Sequence, residues 1–241
     1  MFSKKEENLI ICAELHPQHQ GDMAQIEQMI RECSQGGADV VKVQVYDTHD
    51  LHCSLERRYL ELDEKELAEI QAMAEHFKIG FMASVFGPKN IETLRLSAIH
   101  SQQWVKIAAR SGDDVALVKE VQLQMPTAQV IVSNPSDEVR ALGNIFPLYT
   151  VRKYPTLLED LQMPMFIDYR DIEAEFAGYS DHTIGIAASL KAISYGAQYL
   201  EKHYTLDKSK QCRLEQAHVC SMDYNDLQQI RKIGDAIRTI R

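Results

Sequence analysis

The chain has 241 residues, 45% of them hydrophobic and 25% charged, and a net charge of −9. That composition builds an ordinary globular core, and the acidic balance argues against nucleic acid as a partner, because a phosphate backbone is held by a basic face. The first apolar run, 9–13, is far too short for a signal peptide or a membrane span. Five cysteines, Cys12, Cys33, Cys53, Cys212 and Cys220, form no CxxC pair. With an odd number and no such pair, they read as reduced thiols of a cytoplasmic protein rather than a disulfide frame or a zinc site.

Short apolar runs alternate with longer amphipathic stretches along the whole chain. Residues 9–15 read as a strand. A helix over 22–33 follows, with Met23, Ile26, Met29 and Ile30 in helical phase, Asp22 as its N-cap and Gly36-Gly37 as its stop. The β-branched run 40–46 is a second strand, and 63–77 a helix with Leu67, Ile70, Met73 and Ala74 on one face. Strand 80–86 and helix 89–96 come next, then strand 104–108 and helix 113–123. Strand 129–133 precedes a short helix from Ser136, and strand 145–151 an irregular helical segment through Asp171. Residues 175–180 form a weaker strand, 184–195 a helix closed by Gly196, 197–203 the eighth strand and 224–240 the last helix.

Eight strand–helix units in this length are the arithmetic of a single-domain (β/α)8 TIM barrel over 1–241. A doubly wound open sheet is the alternative. No Gly-rich loop follows the first strand, so nucleotide binding of the Rossmann or P-loop kind has no support.

Barrels carry their chemistry at the C-terminal ends of the strands, and these ends are polar here. Glu14 closes the first strand, with His16 and His19 behind it. Lys42 and Gln44 share one face of the second. Ser84, Lys106 and Ser133-Asn134 mark the next three ends, and Arg152, Lys153 and Tyr154 follow the sixth. The seventh ends in Ser180, Asp181 and His182. The eighth carries Glu201 and His203 on one face and Lys202 on the other. Taken singly, each has a bland reading as a snorkelling lysine or a core histidine. Burying so many polar groups without partners would cost several kcal/mol each, so a shared aqueous or ligand-filled cleft is the better account. His182 and His203 end adjacent strands and can converge on one divalent cation, while Lys42 and Lys106 can neutralise a phosphate and a carboxylate.

Longer stretches resemble one family. Gly178-Tyr179-Ser180-Asp181-His182-Thr183, with Gly185, resembles the GxSDHTxG motif of the sialic acid synthases, and Glu201-Lys202-His203-Tyr204-Thr205-Leu206-Asp207 their EKHFTLD motif. Ala38 through Gln44 resembles GADAVKFQ, Glu14 through Gly21 resembles EIGxNHxG, and Tyr154-Pro155-Thr156 matches YPT. The resemblance covers roughly residues 8 to 235. It implies a (β/α)8 barrel that joins phosphoenolpyruvate to an aldose such as N-acetylmannosamine, releasing phosphate and a nonulosonic acid. It also implies a divalent metal, Mn²⁺ with Mg²⁺ or Co²⁺ as alternatives, held by His182 and His203. Lys42, Ser84, Lys106, Ser133 and Ser180 would hold phosphoenolpyruvate, Gln44 and Glu201 would line the sugar and metal pocket, and Glu14 would orient the aldehyde and assist proton transfer. Arg152 and Tyr154 stand beside the substrate.

The chain departs from that family in five places. Family members continue into a small antifreeze-like domain that lends an arginine to the partner subunit, whereas this sequence stops at Arg241. The usual domain-swapped dimer and its sugar contact are therefore expected to be missing unless a separate antifreeze-like chain supplies them, with a homodimer as the other candidate assembly. The first motif reads Leu15-His16-Pro17-Gln18, Arg152 replaces a small residue, and the family's KIAS reads Lys106-Ile107-Ala108-Ala109, with Ser111 as a candidate substitute. After Asp207 the usual short loop is longer, and His218 takes the place of its histidine. These changes surround the sugar more than the metal, so an altered acceptor is expected. Two other readings stay open: a non-catalytic sugar- or phosphoenolpyruvate-binding barrel, and an aldolase or epimerase acting on a sugar phosphate.

Overall fold

A computed structural model describes residues 9–97, 103–166, 175–210 and 216–240. Eight strands, β1 (Ile10–Glu14), β2 (Val40–Val45), β3 (Gly80–Val85), β4 (Trp104–Ile107), β5 (Gln129–Ser133), β6 (Ile145–Tyr149), β7 (Gly178–Asp181) and β8 (Tyr199–His203), pair in parallel and in chain order to close a barrel. Closure runs through β1 and β8, with Ile10 opposite Tyr199 and Glu14 opposite His203. The helices are α1 (Met23–Gly36), α2 (Thr48–His52), α3 (Glu64–His76), α4 (Pro88–Leu96), α5 (Val115–Gln124), α6 (Asp137–Arg140), α7 (Ala187–Ser194), α8 (Gln216–Val219) and α9 (Tyr224–Ile240). The open-sheet alternative is thereby set aside.

Local chemistry explains the boundaries. Asp22 caps α1 through the amides of Ala24 and Gln25, and Gly37 ends it in a left-handed conformation at φ 96°. Gly36 is the last helical residue rather than part of the stop. Asp63 and Glu66 form a capping box at the start of α3. Three expectations are corrected. The helix expected over 184–195 begins only at Ala187, because the preceding turn is held by Asp181. The seventh strand starts at Gly178 rather than Glu175. In the part of the irregular segment after β6 that is described, only a 3-10 turn, Leu158–Asp160, is present, since Pro155 and Pro164 interrupt any longer helix; residues 167–171 of that segment lie outside the described residues. The five-residue α2, between β2 and α3, is too short to leave a periodic signal.

Alternation along the strands sorts two cores. Outward-facing Ile11, Ala13, Val41, Val43 and Leu200 pack against the helices, with Ile26, Ile30, Leu67, Val118 and Leu227 on the other side. Inward-facing Cys12, Val40, Met82, Ile131, Phe146, Leu148 and Tyr199 fill the barrel floor. The same inward rows then turn polar, so the layer above that floor is where the barrel stops being a packed core. No helix is long and apolar enough to cross a membrane among the described residues.

Candidate active site

The polar layer is a connected network built by strand register. Glu14 lies opposite both Lys42 and His203, Gln44 opposite Ser84, Ser84 opposite Lys106, and Ser180 opposite Glu201. The Lys42 ammonium stands 2.5 Å from a Glu14 oxygen and 3.4 Å from Glu201, and donates to Ser84 Oγ at 3.0 Å. Lys106 and the Ser180 hydroxyl each donate to Glu201 Oε1 at 3.0 Å. Gln44 donates to the same Glu14 oxygen, Oε2, at 3.3 Å, and the His16 amide donates to the other at 2.9 Å. Both lysines and both carboxylates are buried, which is tolerable only because opposite charges meet in this geometry.

Protonation follows from these contacts. Burial alone would raise Glu201, but Lys106 and Lys42 outweigh it and hold the carboxylate far below its usual range. Burial would lower Lys42, yet Glu14 and Glu201 overcome it and keep the ammonium charged. Lys106 is lowered, by burial first, with Glu201 opposing and Lys42 adding to the fall. Glu14 is raised by burial and by Glu201, against the pull of Lys42. A carboxyl raised in this way is a stronger base than a free one, which suits it to proton transfer.

Two imidazoles stand beside this network, their ring centroids 5.9 Å apart. His182 Nδ1 lies 3.0 Å from the carbonyl of Val151, and His203 Nδ1 lies 2.8 Å from that of His16. A carbonyl can only accept, so each Nδ1 carries the proton and each Nε2 keeps its lone pair. Burial pushes His182 down to about 4, and lowers His203 well below its ordinary value with His182 adding to the effect. Both rings are therefore neutral at pH 7. Tyr154 packs over His182 at 4.1 Å and meets His203 edge-on. Such neutral, oriented imidazoles with free Nε2 atoms are a donor pair that fits a divalent cation. Glu201 Oε2, buried without a hydrogen bond, lies in the same network.

The SDHT run is explained residue by residue. Ser180 faces inward. Asp181 faces outward into a buried lock, accepting from the Thr183 amide and hydroxyl at 2.8 Å each and pairing with Lys202 at 3.0 Å. Lys202 also donates to the Thr183 carbonyl at 2.7 Å. The lock fixes the turn from which His182 projects. On the far side of the barrel seam, Gly21 is required at φ 70°, because a Cβ there would come 1.9 Å from the Tyr59 carbonyl oxygen. This pins the loop that carries His16.

Glu14, Lys42, Gln44, Ser84, Lys106, Ser133, Arg152, Tyr154, Ser180, His182, Glu201 and His203 all line one cavity of about 610 Å³ at the C-terminal mouth of the barrel. His16 lines it too, whereas His19 turns away and accepts from the Gly21 amide. Ser111 and His218 are not among its walls, so the position after Ala108 offers Ala109 and Arg110 instead of a hydroxyl. The sequence reading missed Thr150, His52, Arg57 and Arg110. Thr150 donates to the Ser180 carbonyl at 2.8 Å, and its polar end on an apolar strand run was a usable signal. His52 ends the five-residue α2, Arg57 lies in the connection after it and Arg110 in a 3-10 turn, all too short for a periodicity to point to them.

A match to the NeuB family spans residues 29–240. The chain belongs to the NeuB family. An uncharacterized protein of Methanocaldococcus jannaschii is 30% identical over 220 residues, covering 85% of this chain and 64% of that protein. N-acetylneuraminate-9-phosphate synthase of Drosophila melanogaster is 25% identical, covering 93% of this chain and 66% of the enzyme. This NeuB chain thus spans a little under two thirds of the length of these relatives. Among solved structures, N-acetylneuraminic acid (sialic acid) synthetase from Leptospira borgpetersenii serovar Hardjo-bovis in complex with citrate superposes with a TM-score of 0.85 at 25% identity, covering 98% of this chain and 85% of that one.

Proposed function

We propose that this NeuB-family barrel is a synthase that condenses phosphoenolpyruvate with a sugar aldehyde to give a nonulosonic acid and phosphate. The observation that carries the reading is the buried network of Lys42, Lys106, Glu14 and Glu201 beside two neutral imidazoles with unoccupied lone pairs. The two ammonium groups and the Ser84, Ser133 and Ser180 hydroxyls line the inner part of the cavity and suit a small trianion. Ser133 Oγ is buried with no partner, so it has a hydrogen bond to give.

In the reaction the enol carbon of phosphoenolpyruvate forms a bond to the aldehyde carbon. Water adds at the neighbouring carbon while that carbon still bears phosphate; one of its protons ends on the aldehyde oxygen, and the other leaves with phosphate as the C–O bond to phosphate breaks and a keto acid forms. A divalent cation such as Mn²⁺ held by His182 and His203 would supply Lewis-acid polarisation of the aldehyde oxygen. Lys42 and Lys106 leave their carboxylate partners to hold the phosphate and carboxylate of phosphoenolpyruvate, stabilising phosphate as it departs. Glu14, freed from Lys42 at that moment, holds or passes the proton at the aldehyde oxygen. Gln44 orients Glu14 through its amide, and Tyr154 keeps the His182 ring in place and shields it from water.

The test is phosphate release from phosphoenolpyruvate across an aldose panel with Mn²⁺. Release needs all three components, a chelator stops it, and His203→Ala lowers it by at least about a hundredfold, in line with losing a metal ligand. Unchanged turnover in that variant would remove the metal role. Calorimetric binding of phosphoenolpyruvate without turnover of any aldose would favour a non-catalytic binding barrel.

A further inference from the structure

We propose that Arg57 and Arg110 form a second anion subsite, at the rim of the cavity, for a negatively charged group that the acceptor sugar carries far from its aldehyde. The inference rests on the synthase reading and specifies its second substrate.

The cavity holds positive charge at two levels. At the floor, Lys42 and Lys106 lie on strands and are neutralised by Glu14 and Glu201. At the rim, the cations come from loops. Arg57 follows α2 in the connection to α3, and Arg110 lies in the 3-10 turn Ala109–Ser111 after β4. The loop of Arg110 reaches α2. Arg110 donates to the Leu51 carbonyl of α2 at 3.3 Å, and Leu51, His52 and Phe86 complete that wall. His52 packs edge-on against Tyr46 at 5.6 Å, and Tyr46 in turn against His16 at 5.2 Å, so the wall is tied back to the loop after β1. His52, Arg57 and Arg110 line the same cavity, and the imidazole is lowered by burial first and then by the charges of Arg57 and Arg110.

Among the described residues no carboxylate lies within ion-pair distance of Arg110, in a chain with nine more acidic than basic side chains. A wall meant for neutral sugar hydroxyls would mix acceptors with donors. This one offers guanidinium donors, whose planar fork matches a phosphate or carboxylate. The floor already matches the charges of phosphoenolpyruvate, so the rim is left for the other reactant. A phosphate monoester and a uronic carboxylate share this chemistry.

Three matched acceptors decide the matter: a neutral N-acetylhexosamine, its terminal phosphate ester and its terminal uronic acid, each assayed with phosphoenolpyruvate and Mn²⁺. The wild type should prefer a charged acceptor by at least about tenfold in kcat/KM, and Arg57→Gln and Arg110→Gln should each lower that value by about tenfold to a hundredfold. The loss should appear in the KM of the acceptor and not in that of phosphoenolpyruvate, and the stronger of the two charged forms names the group. Equal use of the neutral sugar overturns the inference, as does a rise confined to the phosphoenolpyruvate KM, which would assign the arginines to the first substrate. Should no aldose be consumed at all, titration with the sugar phosphate alone still decides: binding weakened in both variants upholds the subsite, and no binding, or binding indifferent to both substitutions, sinks it.

Discussion

His19 is fully buried, accepts a hydrogen bond from the Gly21 amide through Nδ1, and has no partner for Nε2. Burial lowers its pKa to about 4. In the unfolded chain the ordinary value is about 6.5, so between these values the unfolded state binds a proton that the native state refuses. Stability contributed by the neutral ring is therefore complete above about pH 6.5 and declines as the pH falls toward 4, by roughly 1–3 kcal/mol. Urea midpoints between pH 7 and 4.5 check this. His19→Gln, which keeps an acceptor but cannot titrate, should flatten the slope, and an unaltered slope would assign the acid loss to another group. Buried His182 and His203 add slope of the same sign, so the comparison of variant with wild type is what isolates His19.

At the scale of elements, the helices owe their starts to side chains that the sequence displays. The reciprocal Asp63–Glu66 box closes the first turn of α3, with Asp63 Oδ1 accepting from the Glu66 amide at 2.8 Å and Glu66 Oε2 accepting from the Asp63 amide at 2.9 Å. Asp63→Ala should cost about 1 kcal/mol, read as a lower melting temperature with phosphoenolpyruvate binding intact. Asp63→Asn should restore much of it, and a variant as stable as wild type would mean that packing of Leu67 and Ile70 alone holds the helix end. Residues of this kind were legible because a cap and its partner lie within one turn. The β6–β7 connection was not, since its prolines and single 3-10 turn obey no period, and α2 is shorter than any period can reveal.

For the whole molecule, closure is the decisive event. Strand β1 has to find β8, and α9 seals the seam from below through Arg231, which donates to the Gly37 carbonyl at 2.8 Å and the Leu9 carbonyl at 3.0 Å and pairs with Asp39. Arg231→Ala should destabilise the protein by about 1–3 kcal/mol, because two part-buried carbonyls lose a charged donor. Denaturant unfolding measures it, and the hydrogen-exchange loss should centre on β1 and α1. Protection lost equally across the barrel would show that the seam opens only with global unfolding.

Glu14, Lys42, Lys106, Ser180, His182, Glu201 and His203 could be picked from the sequence because a period of two places them on inward rows, and strand ends are where a barrel turns polar. That much is local, dictated within a few residues by alternation, caps and motif. What the chain alone does not state is that Lys42 bridges Glu14 and Glu201, that His203 takes its tautomer from the carbonyl of His16, or that Arg57 and Arg110 share a wall. Those contacts join positions far apart in sequence, and only the register of a closed barrel sets the distances on which charge state and donor geometry depend.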